Sequence, residues 1–297
     1  MKTTMKSFFF TLLIALSLSW QAQAQSDVVL ALEPAISHDG SRVSFSYQGD
    51  IWTVPFEGGD ASRLTIHRAY ETSPVWSPDG ESIAFKGSRF GNYDIFTIPS
   101  KGGSSKRITY YSGSDDLFDW TSQNTLLFAS NRTFQQVEWD AELQHVSSNG
   151  GTPSRLLDAL GDRPTMSPNG RFIAFVRGSC RIEREEYDGP ADLDVWIYDT
   201  QTDTYTEVTQ NSRNDYLPKW KDDNTLVFIS AETGRYNLVM QRLDDNGLPL
   251  GDWVPMTNFE NHGVRHFDIS EEGHVVLERK ASLYTMTAPL QEPQVLD

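Results

Sequence analysis

A short phrase recurs six times along this chain of 297 residues, and it limits the fold more than any single residue does. At its clearest it reads Pro74-Val75-Trp76-Ser77-Pro78-Asp79-Gly80, then Ile83-Ala84-Phe85, then Asp94-Ile95-Phe96-Thr97-Ile98, a Gly-Gly pair and Arg107-Ile108-Thr109. Aligned on the apolar residue of the second run, the copies centre on Phe45, Phe85, Phe128, Phe175, Phe228 and Leu277, at intervals of 40, 43, 47, 53 and 49 residues. Periods of this size mark one supersecondary unit copied along the chain, as in solenoids, propellers and arrays.

Each copy holds four short runs rich in β-branched and aromatic residues, separated by turn clusters, which is a strand signature. The first run ends in Ile36, Trp76, Trp120, Met166, Trp220 or Ile269. A tight hairpin turn follows, written Asp39-Gly40, Asp79-Gly80 or Asn169-Gly170. Asn124 and Asn224 stand where the glycine is missing, because asparagine also tolerates a left-handed backbone. Four antiparallel strands per repeat, with no helical period after the leader, describe one propeller blade. A blade has two faces to bury, so it must pack against neighbours on both sides. The sequence therefore predicts an all-β, six-bladed β-propeller of four-stranded antiparallel blades.

Residues 1–24 read as a cleaved signal peptide. Lys2 and Lys6 precede an apolar stretch from Phe8 to Leu18, too short to span a bilayer comfortably, and Ala22-Gln23-Ala24 has a small-x-small cleavage pattern. The expected protein is thus exported, periplasmic or extracellular, with one propeller domain over residues 25–297 and no membrane insertion after cleavage. A lone Cys180 leaves no internal disulfide. A net charge of −16 argues against nucleic-acid binding, which needs a basic footprint.

The usual catalytic grammar is missing. Gly87-Ser88-Arg89-Phe90-Gly91 is not a nucleophile elbow, since its order is wrong and it falls in a turn. Gly58-Gly59, Gly102-Gly103 and Gly150-Gly151 recur at one repeat position and read as turns between third and fourth strands. His262 and His266 have i, i+4 spacing, which shares a face only on a helix, so no metal site is expected. No catalytic residue and no cofactor site is assigned. Asp50, Asp94, Asp194 and Asn237 precede third strands and read as turn caps. The tryptophans of the first strands read as packing between blades.

Departures from the repeat carry the functional expectation. The short turns share one face, whereas expanded loops crowd the other, at 131–140 in the third repeat and 177–194 in the fourth. Loops on a rigid scaffold carry function. Arg132, Arg177, Arg181, Arg184 and Tyr187 are the candidate contacts to a peptide or neighbouring domain. A solvated loop with internal ion pairs is the alternative.

The Trp-Ser-Pro-Asp-Gly…Ile-Ala-Phe…Asp-Ile-Phe phrase resembles the blade repeat of TolB-like propellers. Lys106-Arg107-Ile108-Thr109-Tyr110-Tyr111-Ser112-Gly113, and Tyr187-Asp188-Gly189-Pro190-Ala191-Asp192 running into Asp194-Val195-Trp196-Ile197-Tyr198, resemble the amino-terminal propeller of tricorn-type proteases. That resemblance implies a non-catalytic propeller of an exported serine peptidase, gating or presenting peptides to a catalytic domain. It implies peptides or a downstream peptidase domain as partners. Two other readings stay open: a stand-alone TolB-like scaffold binding other envelope proteins, and the propeller cap of a prolyl-oligopeptidase-like hydrolase.

Overall fold

The structure, a computed structural model, describes residues 30–133, 141–287 and 293–296. The expected signal peptide and most of the third-repeat loop lie outside these residues. The described residues contain strands and turns, and no helix.

The first repeat forms a sheet of β1 (Leu32–Ile36), β2 (Arg42–Tyr47), β3 (Asp50–Pro55) and β4 (Ser62–Arg63). The second repeat gives β5 (Glu71–Trp76), β6 (Ser82–Gly87), β7 (Asp94–Pro99) and β8 (Lys106–Arg107). Next come β9 (Asp115–Trp120), β10 (Thr125–Ser130), β11 (Ala141–Ser147), β12 (Ser154–Met166), β13 (Phe172–Arg177), β14 (Asp194–Asp199) and β15 (Thr204–Glu207). The fifth repeat forms β16 (Asp215–Asp222), β17 (Thr225–Ser230), β18 (Asn237–Arg242) and β19 (Val254–Pro255). The sixth forms β20 (His266–Ile269), β21 (His274–Arg279), β22 (Ser282–Thr287) and β23 (Gln294–Val295). Every pairing between neighbours is antiparallel, as the hairpin turns require.

Six separate sheets were the expectation, and the third and fourth repeats correct it. They share one seven-stranded sheet because β12 continues from one repeat into the next. Its first part pairs with β11 up to Gly161, and from Asp162 it pairs with β13. Gly161 permits the transfer: a Cβ there would lie 2.6 Å from the carbonyl oxygen of Val176 and 2.9 Å from the Phe175 ring.

The expected turns largely form. Gly40, Gly80 and Gly170 have φ of 69, 69 and 76°, and Asn124 replaces glycine at φ 62°. Asn224 does not adopt a left-handed conformation. Its N–H instead donates to Asp222 Oδ1 (3.0 Å), which closes that turn by a side chain.

The equivalent residues Phe45, Phe85, Phe128, Phe175, Phe228 and Leu277 are all buried, at 3 % exposure or less. Burial of each such side chain stabilises the fold by roughly 1.5–3 kcal/mol. Inner strands touch in the order β1, β5, β9, β12, β16, β20 and back to β1. The first and last sheets share the apolar cluster of Ile36, Val43, Phe45, Val54, Val276 and Leu283. Their polar contacts are few. Leu30 N–H donates to the Ala281 carbonyl (2.8 Å), Glu33 N–H to Glu278 Oε2 (2.9 Å) and Ile36 N–H to Asp268 Oδ2 (3.0 Å).

Four of the inner strands carry the same irregularity. Glu33-Pro34, Ser73-Pro74, Arg163-Pro164 and Leu217-Pro218 occupy one repeat position, three residues before the end residue of the phrase. In each, the ladder register shifts, and the residue before proline has φ between 49 and 55°. Proline has no N–H for the ladder, so the strand bulges there. Of the two inner strands that lack proline, β20 pairs without a shift, whereas β9 shifts register once, opposite Phe118.

Candidate axial site

The inner strands enclose two cavities on the axis. One, of about 450 Å³, lies toward the expanded loops and is lined by Glu33, Ser73, Lys86, Arg163, Leu217 and His266, among others. Four of these are the residues held at positive φ by the bulges. The prolines of the repeated phrase were thus the signal that a reading of turns and tryptophans passed over.

The other cavity, of about 400 Å³, lies toward the short turns. All six end residues of the first strands line it: Ile36, Trp76, Trp120, Met166, Trp220 and Ile269. The tryptophans also pack between repeats, as expected. Trp76 Nε1 donates to the Ala35 carbonyl and Trp220 Nε1 to the Thr165 carbonyl, both at 3.3 Å and both in the preceding repeat. They are therefore interface residues and cavity wall at once.

Lys219 borders both cavities. Its Nζ lies 3.3 Å from the Phe118 carbonyl oxygen on β9 and 3.5 Å from Asp268 Oδ1 on β20. One side chain thereby ties three repeats together around the axis. Asp119, in the same layer, accepts from Met166 N–H (2.9 Å) and Thr165 Oγ1 (3.1 Å) of the next repeat. Burial raises its pKa, although Lys219 and the Met166 bond oppose the shift.

The cavity toward the expanded loops mixes charges. Burial opposes ionisation of Glu33, but His266, Lys86 and the hydroxyls of Thr72 and Ser73 outweigh it and keep its pKa below the usual range. Both Ser73 N–H and Ser73 Oγ donate to Glu33 Oε2 at 2.8 Å. Lys86 pairs with Asp116 at 2.8 Å. Burial lowers His266 to about 4 against the opposing field of Glu33, and its buried Nδ1 has no hydrogen-bond partner.

Segment 177–194 folds over this end. Ile182 lines the cavity and packs against the core around Tyr216 and Tyr236, with the half-buried Cys180 beside it. Glu185 Oε1 accepts from Tyr236 N–H (2.6 Å), and its other oxygen lies 3.7 Å from Arg265. Of the candidate contact residues, Arg184 lies over the Tyr187 ring at 4.5 Å, and Tyr187 Oη accepts from Ala191 N–H (3.2 Å). Arg177 lies over Trp196 at 5.3 Å, and Arg181 is exposed. Arg132 sits apart from them, paired with Asp115 at 2.6 Å and stacked over Tyr111 at 4.6 Å. The first four share one loop, and Arg132 belongs to a different junction.

At the third strands Asp50 and Asp94 are not turn caps, whereas Asn237 is one, its Nδ2 donating to Thr233 Oγ1 (3.1 Å) and the Arg235 carbonyl (3.3 Å) of the preceding turn. Asp50 and Asp94 start β3 and β7, are buried, and pair with Arg63 (2.5 Å) and Arg107 (2.7 Å) of the fourth strands. Asn237 Oδ1 accepts from Thr257 Oγ1 (2.9 Å) and Phe259 N–H (2.6 Å). Their burial makes each a clamp on the chain that leads to the next repeat. Among the described residues, no group of three or more His, Cys, Asp and Glu is arranged to hold a metal ion.

Antiparallel sheets set side by side around an axial cavity, with every repeat contributing its inner strand to the wall, define a β-propeller. The tricorn protease N-terminal beta propeller domain matches residues 29–292, and the chain belongs to that family. It is 31 % identical over 170 residues to an uncharacterised protein of Agrobacterium fabrum, covering 54 % of this chain and 55 % of that protein. It is 35 % identical over 156 residues to a TolB homologue of Chlorobium chlorochromatii, covering 50 % of this chain and 34 % of the relative. The chain thus spans about half the length of one curated relative and a third of the other. Among solved structures, the tricorn protease superposes with a TM-score of 0.75 at 19 % identity, over 91 % of this chain and 26 % of that one.

Proposed function

We propose that this protein is the non-catalytic propeller of an exported, tricorn-like serine peptidase, gating or presenting peptides to a catalytic domain. The supporting observation is the axial cavity toward the expanded loops, with its mixed charges and the 177–194 segment folded over it. A peptide carries both charge signs and backbone polar groups, and such a lining offers partners to each. Arg177, Arg181, Arg184 and Tyr187 would meet the peptide at this mouth, with Arg132 as an outlying contact.

Fluorescence anisotropy with a mixed library of labelled oligopeptides tests the reading. The protein should bind peptides and leave them intact, and Arg181→Ala with Arg184→Ala should weaken binding several-fold. Hydrolysis by the purified chain would refute the non-catalytic role. Binding of intact envelope proteins without any binding of peptides would favour the scaffold reading, which the likeness to a TolB homologue supports.

A further inference from the structure

Two arginine clamps recur between neighbouring repeats. Between the second and third, Asp94 pairs with Arg107 (2.7 Å) and Asp115 with Arg132 (2.6 Å). Between the first and second, Asp50 pairs with Arg63 and Glu71 with Arg89, both at 2.5 Å. Strand register places the same positions in the fourth and fifth repeats. Arg63 and Arg107 sit opposite Trp52 and Phe96, and Glu207 sits opposite the equivalent Trp196. Arg89 and Arg132 stand two residues beyond Gly87 and Ser130, the partners of Glu71 and Asp115. Glu232 stands two residues beyond Ser230, the partner of Asp215.

At this junction both arginines are therefore replaced by glutamates, while the acids they would serve, Asp194 and Asp215, remain. Asp192 adds a further carboxylate next to Asp194. None of these five carboxylates forms an ion pair among the described residues. Asp215 is fully buried; its Oδ2 accepts from Asn211, but its Oδ1 has no hydrogen-bond partner. Burial, reinforced by the neighbouring carboxylates, raises Asp194 and Asp215 each to about 7. Glu207 is half-buried and Glu232 exposed, so the cluster opens to solvent on the face of the expanded loops; Glu232 Oε2 accepts from Trp253 Nε1 (2.8 Å), a neutral partner that leaves its charge unpaired. The acids are not arranged for a metal ion, and an extended planar cation is the group that satisfies the same positions elsewhere in this fold.

We propose that the junction between the fourth and fifth repeats binds an arginine side chain of a peptide, its guanidinium supplying from outside the positive charge that Arg107 and Arg132 supply between the second and third. The peptide as source rests on the function proposed above; the guanidinium site does not.

Labelled acetyl-Ala-Ala-Arg-Ala-Ala amide, and the same peptide with uncharged citrulline for arginine, provide the test by anisotropy. Citrulline should weaken binding at least tenfold. Glu207→Arg with Glu232→Arg should abolish arginine-dependent binding and raise the Tm, because the protein then supplies its own cations. Glu207→Gln with Glu232→Gln should weaken binding with little change in Tm, which covers a poorly folding arginine variant. Equal binding of both peptides, or full binding by the glutamine variant, overturns the proposal and leaves peptide handling intact. If neither peptide binds, melting curves with arginine amide against citrulline amide decide. A higher Tm with arginine amide alone retains the site and removes peptide handling; equal curves remove both.

Discussion

The ammonium of Lys219 on β16 lies 3.3 Å from the carbonyl oxygen of Phe118 on β9, so the fifth repeat reaches the third across the axis. The same group lies 3.5 Å from Asp268 on β20 and offsets the charge of Asp119. Lys219→Met keeps most of the chain length and removes the charge, leaving two enclosed carboxylates without their cation. The expected loss is about 2–3 kcal/mol of unfolding free energy by urea titration at pH 8. An unchanged midpoint at pH 8 would show that Lys219 is not what holds this layer.

Acid should strengthen the junction of the fourth and fifth repeats. Asp194 and Asp215 titrate near 7 in the folded protein, because burial disfavours their charge. An unfolded aspartate titrates near ~4. Between those values the folded state binds more protons, so this contribution falls as pH rises from about 4 to 7 and is lost above 7. Asp215→Asn removes the buried charge while keeping an acceptor for Asn211. It should stabilise the protein by roughly 2 kcal/mol at pH 8 and by little at pH 4.5. A variant with the wild-type pH profile of Tm would contradict the assignment.

The contact between the first and last sheets uses carboxylates as acceptors for strand β1. Glu278→Ala and Asp268→Ala leave the N–H groups of Glu33 and Ile36 without partners. Each loss should cost about 1–3 kcal/mol. Because these bonds hold the first sheet to the last, limited proteolysis should cut both variants sooner within those two sheets than in the middle ones. Uniform cleavage along the chain would argue that the contact is not the weak point.

The bulge at Arg163 stores backbone strain, since its φ of 52° is unfavourable for any residue with a Cβ. Arg163→Gly should stabilise the fold by about 0.5–1 kcal/mol, offset in part by loss of the 2.5 Å pair with Asp162. Arg163→Val should destabilise it by more than ~2 kcal/mol, because a β-branched side chain resists this conformation most. Equal denaturation midpoints for the two variants would rule out the strain.

The hairpin glycines, the Gly-Gly turns and the phenylalanine of each second strand were legible because each depends on its own few neighbours. Gly40, Gly80 and Gly170 needed only a positive φ, and Phe85 or Phe228 only the alternation of a strand. Asp50 and Asp94 were misread as turn caps because their partners, Arg63 and Arg107, lie 13 residues along the chain in other strands. The continuation of β12 escaped notice for a related reason. Its apolar residues give way at Leu160 to Gly161-Asp162-Arg163-Pro164, yet backbone pairing with β11 and then β13 carries the strand on to Met166.

By itself the sequence determined the repeat, the antiparallel strands within it and the propeller they build, since hydrophobic alternation and turn chemistry act over a few residues. Only the tertiary structure decided what meets at the axis and between repeats. Lys219 finds Phe118 and Asp268, and Asp194 meets Asp215 with a glutamate standing where each arginine would be. Charges interact through space, and the ring brings together residues that the chain holds tens of residues apart.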